Sequence, residues 1–205
     1  MKTNKLLTIL TLVLMYSSCS EDDAPIYQDS EFNTITNLAA PQNSDYTQSP
    51  PSITGDFVMF DLDTGLATTD EKTWDIAFRG STIIVNGGTS YGYNDEPSRT
   101  SSAAAYVTSG TLASVTDVDV TMFAQDSSQG LAIPTGSDDG WYHYDSMTHI
   151  ISPIAGKILV FKTTEGRYAK VEILSYYHDM DTASTSQTYT FNYVYNPNEG
   201  QVLFE

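Results

Sequence analysis

The stretch KILVFKTTEGRYAKVEILSYY, residues 157–177, decides the fold. Residues 157–163 and 167–177 are rich in Val, Ile, Leu, Phe and Tyr, and β-branched and aromatic residues are enriched in β-strands. Between them stands Thr164-Glu165-Gly166, a short loop whose glycine suits the left-handed position of a hairpin. The stretch therefore predicts an antiparallel β-hairpin.

Further strand signals continue on both sides of this hairpin. Most alternate apolar and polar residues with the period of two expected of half-buried strands, and no sustained helical period or internal repeat interrupts them. Residues 86–102 and 126–140 are rich in loop-forming residues and predict loops. We expect one mostly β, antiparallel domain, with further strands at residues 56–62, 73–79, 81–85, 103–107, 115–123, 141–144 and 187–195.

The period of two also predicts which side chains share one face of a strand. The last strand has an aromatic residue at every second position, and two earlier strands have apolar residues in the same arrangement. The sets are Tyr189, Phe191, Tyr193 and Tyr195; Trp74, Ile76 and Phe78; and Val118, Val120 and Met122.

The chain of 205 residues is strongly acidic, with a net charge of −17. Two of its nine basic residues, Lys2 and Lys5, lie in the N-terminal signal described next. Seven basic and 26 acidic residues remain after it, a net charge of −19. Such a surface repels nucleic-acid phosphates and anionic lipid headgroups. We therefore expect no nucleic-acid partner, and membrane contact only through a lipid anchor.

Residues 1–18 have the layout of a signal peptide, with Lys2 and Lys5 before an apolar stretch at residues 6–15. Small residues precede Cys19, the only cysteine of the chain. This arrangement resembles a bacterial lipobox, although Tyr16 stands where leucine is usual. We expect lipidation at Cys19, by acyl chains such as palmitate.

Residues 20–23, Ser-Glu-Asp-Asp, resemble the acidic export tag of surface lipoproteins in Bacteroidota-type bacteria. The alternative is a merely solvated linker. Residues 24–52 are rich in Pro, Asn, Ser, Asp and Gln and predict a flexible tether. The expected organisation is a signal peptide at 1–18, a lipidated cysteine and linker at 19–52, and a β domain at 53–205. The expected location is the outer membrane, exposed at the cell surface.

No nucleophile elbow, P-loop or dinucleotide fingerprint is present, so we do not expect an enzyme. Asp117, Asp119 and Asp126 lack the spacing of a calcium loop, and solvated carboxylates are the simpler interpretation. The segment YHYDSMTH, residues 142–149, holds His143, Met147 and His149, and a loop of this kind could offer an imidazole or thioether to haem iron. The residues alone favour ordinary surface positions for these side chains.

Several stretches together resemble the HmuY family. They are Trp74-Asp75-Ile76-Ala77-Phe78-Arg79 followed by Ile84-Val85-Asn86-Gly87-Gly88, then Gly140-Trp141, residues 157–163, residues 166–174 and the aromatic strand at 189–195. The resemblance covers roughly residues 53–196. It implies a mostly β surface lipoprotein that captures haem and passes it to a TonB-dependent outer-membrane receptor.

The resemblance also implies two axial ligands to haem iron, histidines in some members and methionines in others. One should follow the Gly-Trp strand, where Met147 and His149 compete. The other should precede it, where Met122 is the only soft ligand. The candidate axial ligands are therefore Met122, Met147 and His149. The alternative is a binding module on the same scaffold that recognises a protein partner or a glycan.

Overall fold

The computed structural model describes residues 26–205, and these form an antiparallel β structure. Its elements are β1 (Glu31–Ala39), β2 (Asn43–Asp45), β3 (Ser52–Thr54), β4 (Val58–Asp61), β5 (Leu66–Ala67), β6 (Ile76–Arg79), β7 (Thr82–Val85), β8 (Ala104–Ser109), β9 (Tyr142–Asp145), β10 (Ile150–Pro153), β11 (Lys157–Lys162), β12 (Tyr168–Tyr177), a 3₁₀ turn (His178–Met180) and β13 (Ser186–Asn196).

Two main sheets form a sandwich. The larger has the strand order β1-β13-β12-β11-β8, and the smaller has the order β5-β4-β6-β7. Their facing sides enclose the main core, in which Phe60 and Phe78 of the smaller sheet meet Phe191 of the larger. Two further hairpins, β9–β10 and β2–β3, complete the domain.

The predicted hairpin at residues 157–177 is confirmed. Leu159 pairs with Val171 and Lys162 with Tyr168, and the loop between the strands turns at Gly166, whose φ is +78°. The predicted aromatic face of the last strand is confirmed as well. Its four aromatic side chains are all buried in the main core because this face of β13 packs against the smaller sheet.

The predicted flexible linker is wrong for residues 31–39. They form β1, which pairs antiparallel with β13 from Glu31 opposite Tyr195 to Ala39 opposite Thr188. The segment shows no regular alternation of apolar and polar residues, although Phe32, Thr34 and Ile35 are strand-favouring types, and β13 supplies its backbone partners. The domain thus begins before residue 53, and β3 crosses that boundary.

The strand predicted at residues 115–123 does not form. Asp119 instead accepts hydrogen bonds from the backbone N–H and the hydroxyl of Thr121, and its carbonyl accepts one from the N–H of Met122. Such local bonds compete with a sheet ladder. Val118 is buried as expected, but Val120 and Met122 are about half exposed.

Trp74 also differs from the prediction, because β6 begins only at Ile76. Ile76 and Phe78 enter the main core, whereas Trp74 packs with Phe57 and Ile84 on the outer side of the smaller sheet. The alternation of inward and outward side chains along β6 therefore begins at Ile76 and does not include Trp74. The short strand β10 was not predicted.

Candidate functional site

The β9–β10 hairpin carries two of the three candidate ligands, Met147 and His149. Its strands pair from Tyr142 opposite Pro153 to Asp145 opposite Ile150, which leaves residues 146–149 as the turn. Asp145 organises this turn. Its carboxylate accepts the backbone N–H of Met147 at 2.8 Å, and its carbonyl accepts the N–H of His149 at 2.8 Å. Aspartate favours such turns because its short side chain reaches the backbone two residues on.

Hydrogen bonds from the turn hold the pKa of Asp145 below its usual value, the N–H of Met147 being the largest contributor. The same turn gives His149 a left-handed backbone, with φ of +59°. A residue other than glycine rarely adopts this conformation, although histidine is among the more tolerant types. The turn is therefore defined by its own side chain and backbone bonds.

Met147 is 90 % exposed. A thioether in water gains none of the free energy that burying an apolar side chain provides. Its sulfur is a soft ligand that haem iron accepts. The geometry of the turn thus places one exposed soft donor at the tip of a hairpin.

His149 is oriented by Tyr144, whose hydroxyl oxygen lies 2.6 Å from Nδ1 of the imidazole. In the tautomer whose Nδ1–H donates to that oxygen, Nε2 keeps its lone pair. Metal-binding histidines commonly hold the ring in place through the nitrogen that does not bind the metal. His149 therefore has the support expected of an imidazole ligand, and the sequence did not identify Tyr144 as its partner.

His143 is engaged elsewhere. Its Nδ1 lies 2.8 Å from the carboxylate of Asp138, and both side chains are more than half exposed. The hydrogen bond with His143 lowers the pKa of Asp138. This pairing ties the predicted loop at residues 126–140 to β9.

The base of the hairpin is held by aromatic side chains, in contrast to its tip. Trp141 contacts Tyr142, Tyr176 and Tyr189, and its indole N–H donates to the carbonyl of Ser81 at 3.0 Å. The hydroxyl of Tyr177 accepts the N–H of Ile151 at 3.0 Å. Burial raises the pKa of Tyr176 and of Tyr189. The candidate ligands therefore project from a packed support.

Met122 lies in a different part of the molecule. It borders a surface cavity of about 310 Å³ together with Tyr106 and Asp119, and no residue of the hairpin lines that cavity. Tyr106 belongs to the apolar cluster on the outer face of the larger sheet, whereas Trp141 and Tyr142 belong to the core on its inner face. The structure brings Met147 and His149 together but not Met122.

Of the three aspartates considered for calcium, Asp117 and Asp119 border the same surface cavity, whereas Asp126 lies elsewhere. Asp126 is buried, and its carboxylate accepts hydrogen bonds from Arg99 and from the N–H groups of Val85 and Ala132. Asp119 is exposed and bonded to Thr121. Among residues 26–205, no three His, Cys, Asp or Glu side chains are grouped so that they could hold a metal ion.

The part of the chain that the structure describes has no helix long and apolar enough to span a membrane. Cys19 and the predicted signal peptide lie outside the described residues.

Several solved structures match the chain, and three of them are similar to it in extent. A lipoprotein from Bacteroides fragilis is 17 % identical, with 82 % of this chain and 90 % of that chain covered and a TM-score of 0.49. The apo HmuY analog of Tannerella forsythia is 14 % identical, with coverage of 86 % and 100 % and a TM-score of 0.42. A HmuY-like heme-binding protein from Bacteroides vulgatus is 16 % identical, with coverage of 84 % and 97 % and a TM-score of 0.39.

No curated protein matches the sequence. The family model described as HmuY protein matches residues 53–193, which is well over half of the chain. The matched region runs from β3 to β13 and includes the β9–β10 hairpin with both of its candidate ligands. The chain therefore belongs to the HmuY family.

Proposed function

We propose that this protein binds haem at the β9–β10 hairpin and acts as a surface lipoprotein that captures haem. The observation that carries the proposal is the turn at residues 146–149, which presents an exposed thioether and a supported imidazole within the region that matches the HmuY family. The protein acts on haem by binding it, without covalent chemistry.

The hairpin supplies one axial ligand, and Met147 and His149 are the two candidates. Met147 is 90 % exposed, and its sulfur is a soft ligand that haem iron accepts. His149 is the stronger ligand chemically, and Tyr144 holds its ring through Nδ1. Both residues lie in one turn, so in any one haem complex either Met147 or His149 occupies the axial position that the hairpin supplies.

Met122 is the candidate for the second axial ligand. Met122 borders a cavity that no hairpin residue lines, so a complex that uses Met122 together with a hairpin ligand would require one of the two segments to move. A complex with a hairpin ligand alone requires no such movement. If Met122 proves to be a ligand in the haem complex, the site has rearranged on binding. If only a hairpin residue is a ligand, the site has kept the geometry described above.

The proposal includes a lipid anchor for the domain and a receptor that takes up the captured haem. Lipidation of Cys19 would hold the domain at the outer membrane, since more than one acyl chain gives stable anchoring. Captured haem would then pass to a TonB-dependent receptor in the same membrane. These steps are supported by the sequence of residues 1–23 and by membership in the family.

A hemin titration of residues 26–205 tests haem binding. We expect a saturable change of the Soret band, together with Q bands that differ between the ferric and ferrous states. Met147→Ala, His149→Ala and Met122→Ala should each be titrated separately, and the variant that alters the spectrum identifies a ligand. Met180→Ala is the matched control, because Met180 is another exposed methionine, 58 % accessible, on the 3₁₀ turn. A featureless, non-saturating response refutes the proposal.

The separation of Met122 from the hairpin favours a second candidate function, a binding module for a non-haem ligand. Exposed Tyr144 and Met147 at the hairpin suit contact with a protein partner or a glycan. If hemin does not bind, binding to surface proteins and glycans of the host or of neighbouring bacteria can be measured with Tyr144→Ala as the variant that should lose it.

A further inference from the structure

The chain enters the sandwich at one end of the larger sheet. The N–H of Ser30 donates to the carbonyl of Glu205 at 2.6 Å, and Gln28 exchanges two hydrogen bonds with Asn198. Directly afterwards, Glu31 of β1 pairs with Tyr195 of β13. The segment that leads back towards Cys19 therefore leaves the domain beside its C-terminus.

The candidate site lies at the other end of the same sheet. β1 runs from Glu31 to Ala39, and Ala39 pairs with Thr188. The base of the β9–β10 hairpin contacts this end, through Trp141 against Tyr189 and through Ile151 against Tyr177. Thr188 and Tyr195 of the two end pairings lie seven positions apart along β13, which at about 3.3 Å per position is about 23 Å.

Because β1 is a strand, the link between the anchor and the domain is short. Residues 19–27, which precede the bonds of Gln28 to Asn198, comprise nine residues and span at most about 32 Å when fully extended. A linker that ran to residue 52 would be 34 residues long. The pairing of β1 with β13 thus fixes both the point of attachment and the maximum reach.

We infer that the anchored domain stands with its β9–β10 hairpin on the side away from the membrane. The site is then open to partners that approach from the aqueous side, and a partner embedded in the membrane reaches it only when the domain tips over within the reach of residues 19–27. The inference rests on the anchor at Cys19, which is part of the proposed function, and not on haem binding.

Energy transfer between single labelled sites and the membrane tests the orientation. The full chain, expressed with its lipid and reconstituted in vesicles, would carry one donor dye at either Ser146→Cys or Glu199→Cys. Ser146 lies in the hairpin turn and Glu199 lies beside Asn198, and both are exposed. Cys19 is the only native cysteine, and its sulfur is occupied when lipidated, so each variant has one reactive thiol.

With an acceptor dye on the lipid headgroups, transfer should be clearly larger from position 199 than from position 146. Equal transfer, or larger transfer from position 146, overturns the orientation. Flotation with vesicles is measured on the same samples and on Cys19→Ser. If the unchanged chain does not float, or if Cys19→Ser floats equally well, the anchor is absent and the inference fails with it. Hemin titration of residues 26–205 is independent of all these outcomes.

Discussion

The hydroxyl oxygen of Tyr144 and Nδ1 of His149 lie 2.6 Å apart across the turn of the β9–β10 hairpin. Tyr144 is on β9 and His149 directly precedes β10, so the two residues face each other where the strands end. This contact orients an exposed imidazole without burying it. Its effect on ligand binding can therefore be tested separately from the stability of the domain.

Tyr144→Phe should weaken hemin binding if His149 is the ligand, because the ring loses the partner that fixes its orientation. Loss of such a supporting bond typically costs about 10- to 100-fold in metal affinity. The measurement is the dissociation constant from the Soret titration. Tyr46→Phe, at an exposed tyrosine, is the control and should leave affinity unchanged. Full affinity in Tyr144→Phe combined with a changed spectrum in Met147→Ala would assign the iron to the thioether.

Removal of residues 1–52 should destabilise the domain, even though the family match begins at residue 53. This truncation deletes β1, exposes the edge of β13 and uncovers core side chains that Ile35 and Leu38 pack against. An exposed strand edge also promotes aggregation. Thermal unfolding and size-exclusion chromatography should show a lower Tm and aggregated material relative to residues 26–205.

The matched comparison for this truncation removes residues 1–29 and retains all of β1. Its Tm should remain close to that of residues 26–205. Equal stability of all three forms would mean that β1 contributes nothing to the fold.

Asp126→Ala should be strongly destabilising. Asp126 is buried, and its loss leaves the guanidinium of Arg99 and the N–H groups of Val85 and Ala132 without their acceptor. Removal of one partner of a buried ion pair costs about 3–5 kcal/mol. Urea denaturation measures the change in free energy of unfolding. Asp139→Ala, at an exposed position, should change it by less than about 0.5 kcal/mol. A small effect at Asp126 would show that Glu96 alone satisfies Arg99.

The buried carboxyl of Asp75 should make stability depend on pH. Burial raises its pKa from 3.8 to about 6, although the N–H groups of Thr164 and Leu62 donate to it. As pH rises, this group ionises first in the unfolded chain and only near pH 6 in the folded one. Its contribution to the free energy of unfolding therefore falls between about pH 4 and pH 6, by about 3 kcal/mol.

Asp75→Asn removes this titration, so the stability of the unchanged protein relative to the variant should decrease across the same interval. Urea denaturation at several pH values between 4 and 7 measures the difference in free energy of unfolding between the two proteins. The contributions of the other carboxylates to that difference largely cancel because both proteins contain them. Asp29→Asn, at an exposed position, should show no comparable trend. A difference that is constant with pH would contradict the raised pKa of Asp75.

The sequence by itself determined the class of the fold and its central hairpin. The runs on either side of Thr164-Glu165-Gly166 are rich in β-branched and aromatic residues, and the glycine between them suits a hairpin turn, so local pattern was sufficient there. The alternating aromatic residues of β13 likewise predicted that they share one face, and the structure buries that face. The sequence also contained the motifs that resemble the HmuY family, and it indicated a loop that holds Met147 and His149.

Only the tertiary structure decided the features that depend on distant partners. β1 is a strand because β13 offers it a backbone ladder, which no pattern in residues 31–39 reveals. Met122 leaves the predicted strand because Asp119 satisfies the backbone locally. Strand order and register also decide three further features. They bring Tyr144 to His149 and keep Met122 away from the hairpin. They also place residues 26–30 and the β9–β10 hairpin at opposite ends of the larger sheet. Strand order and register follow from the packing of the whole chain, and the spacing of residues along the sequence does not predict them.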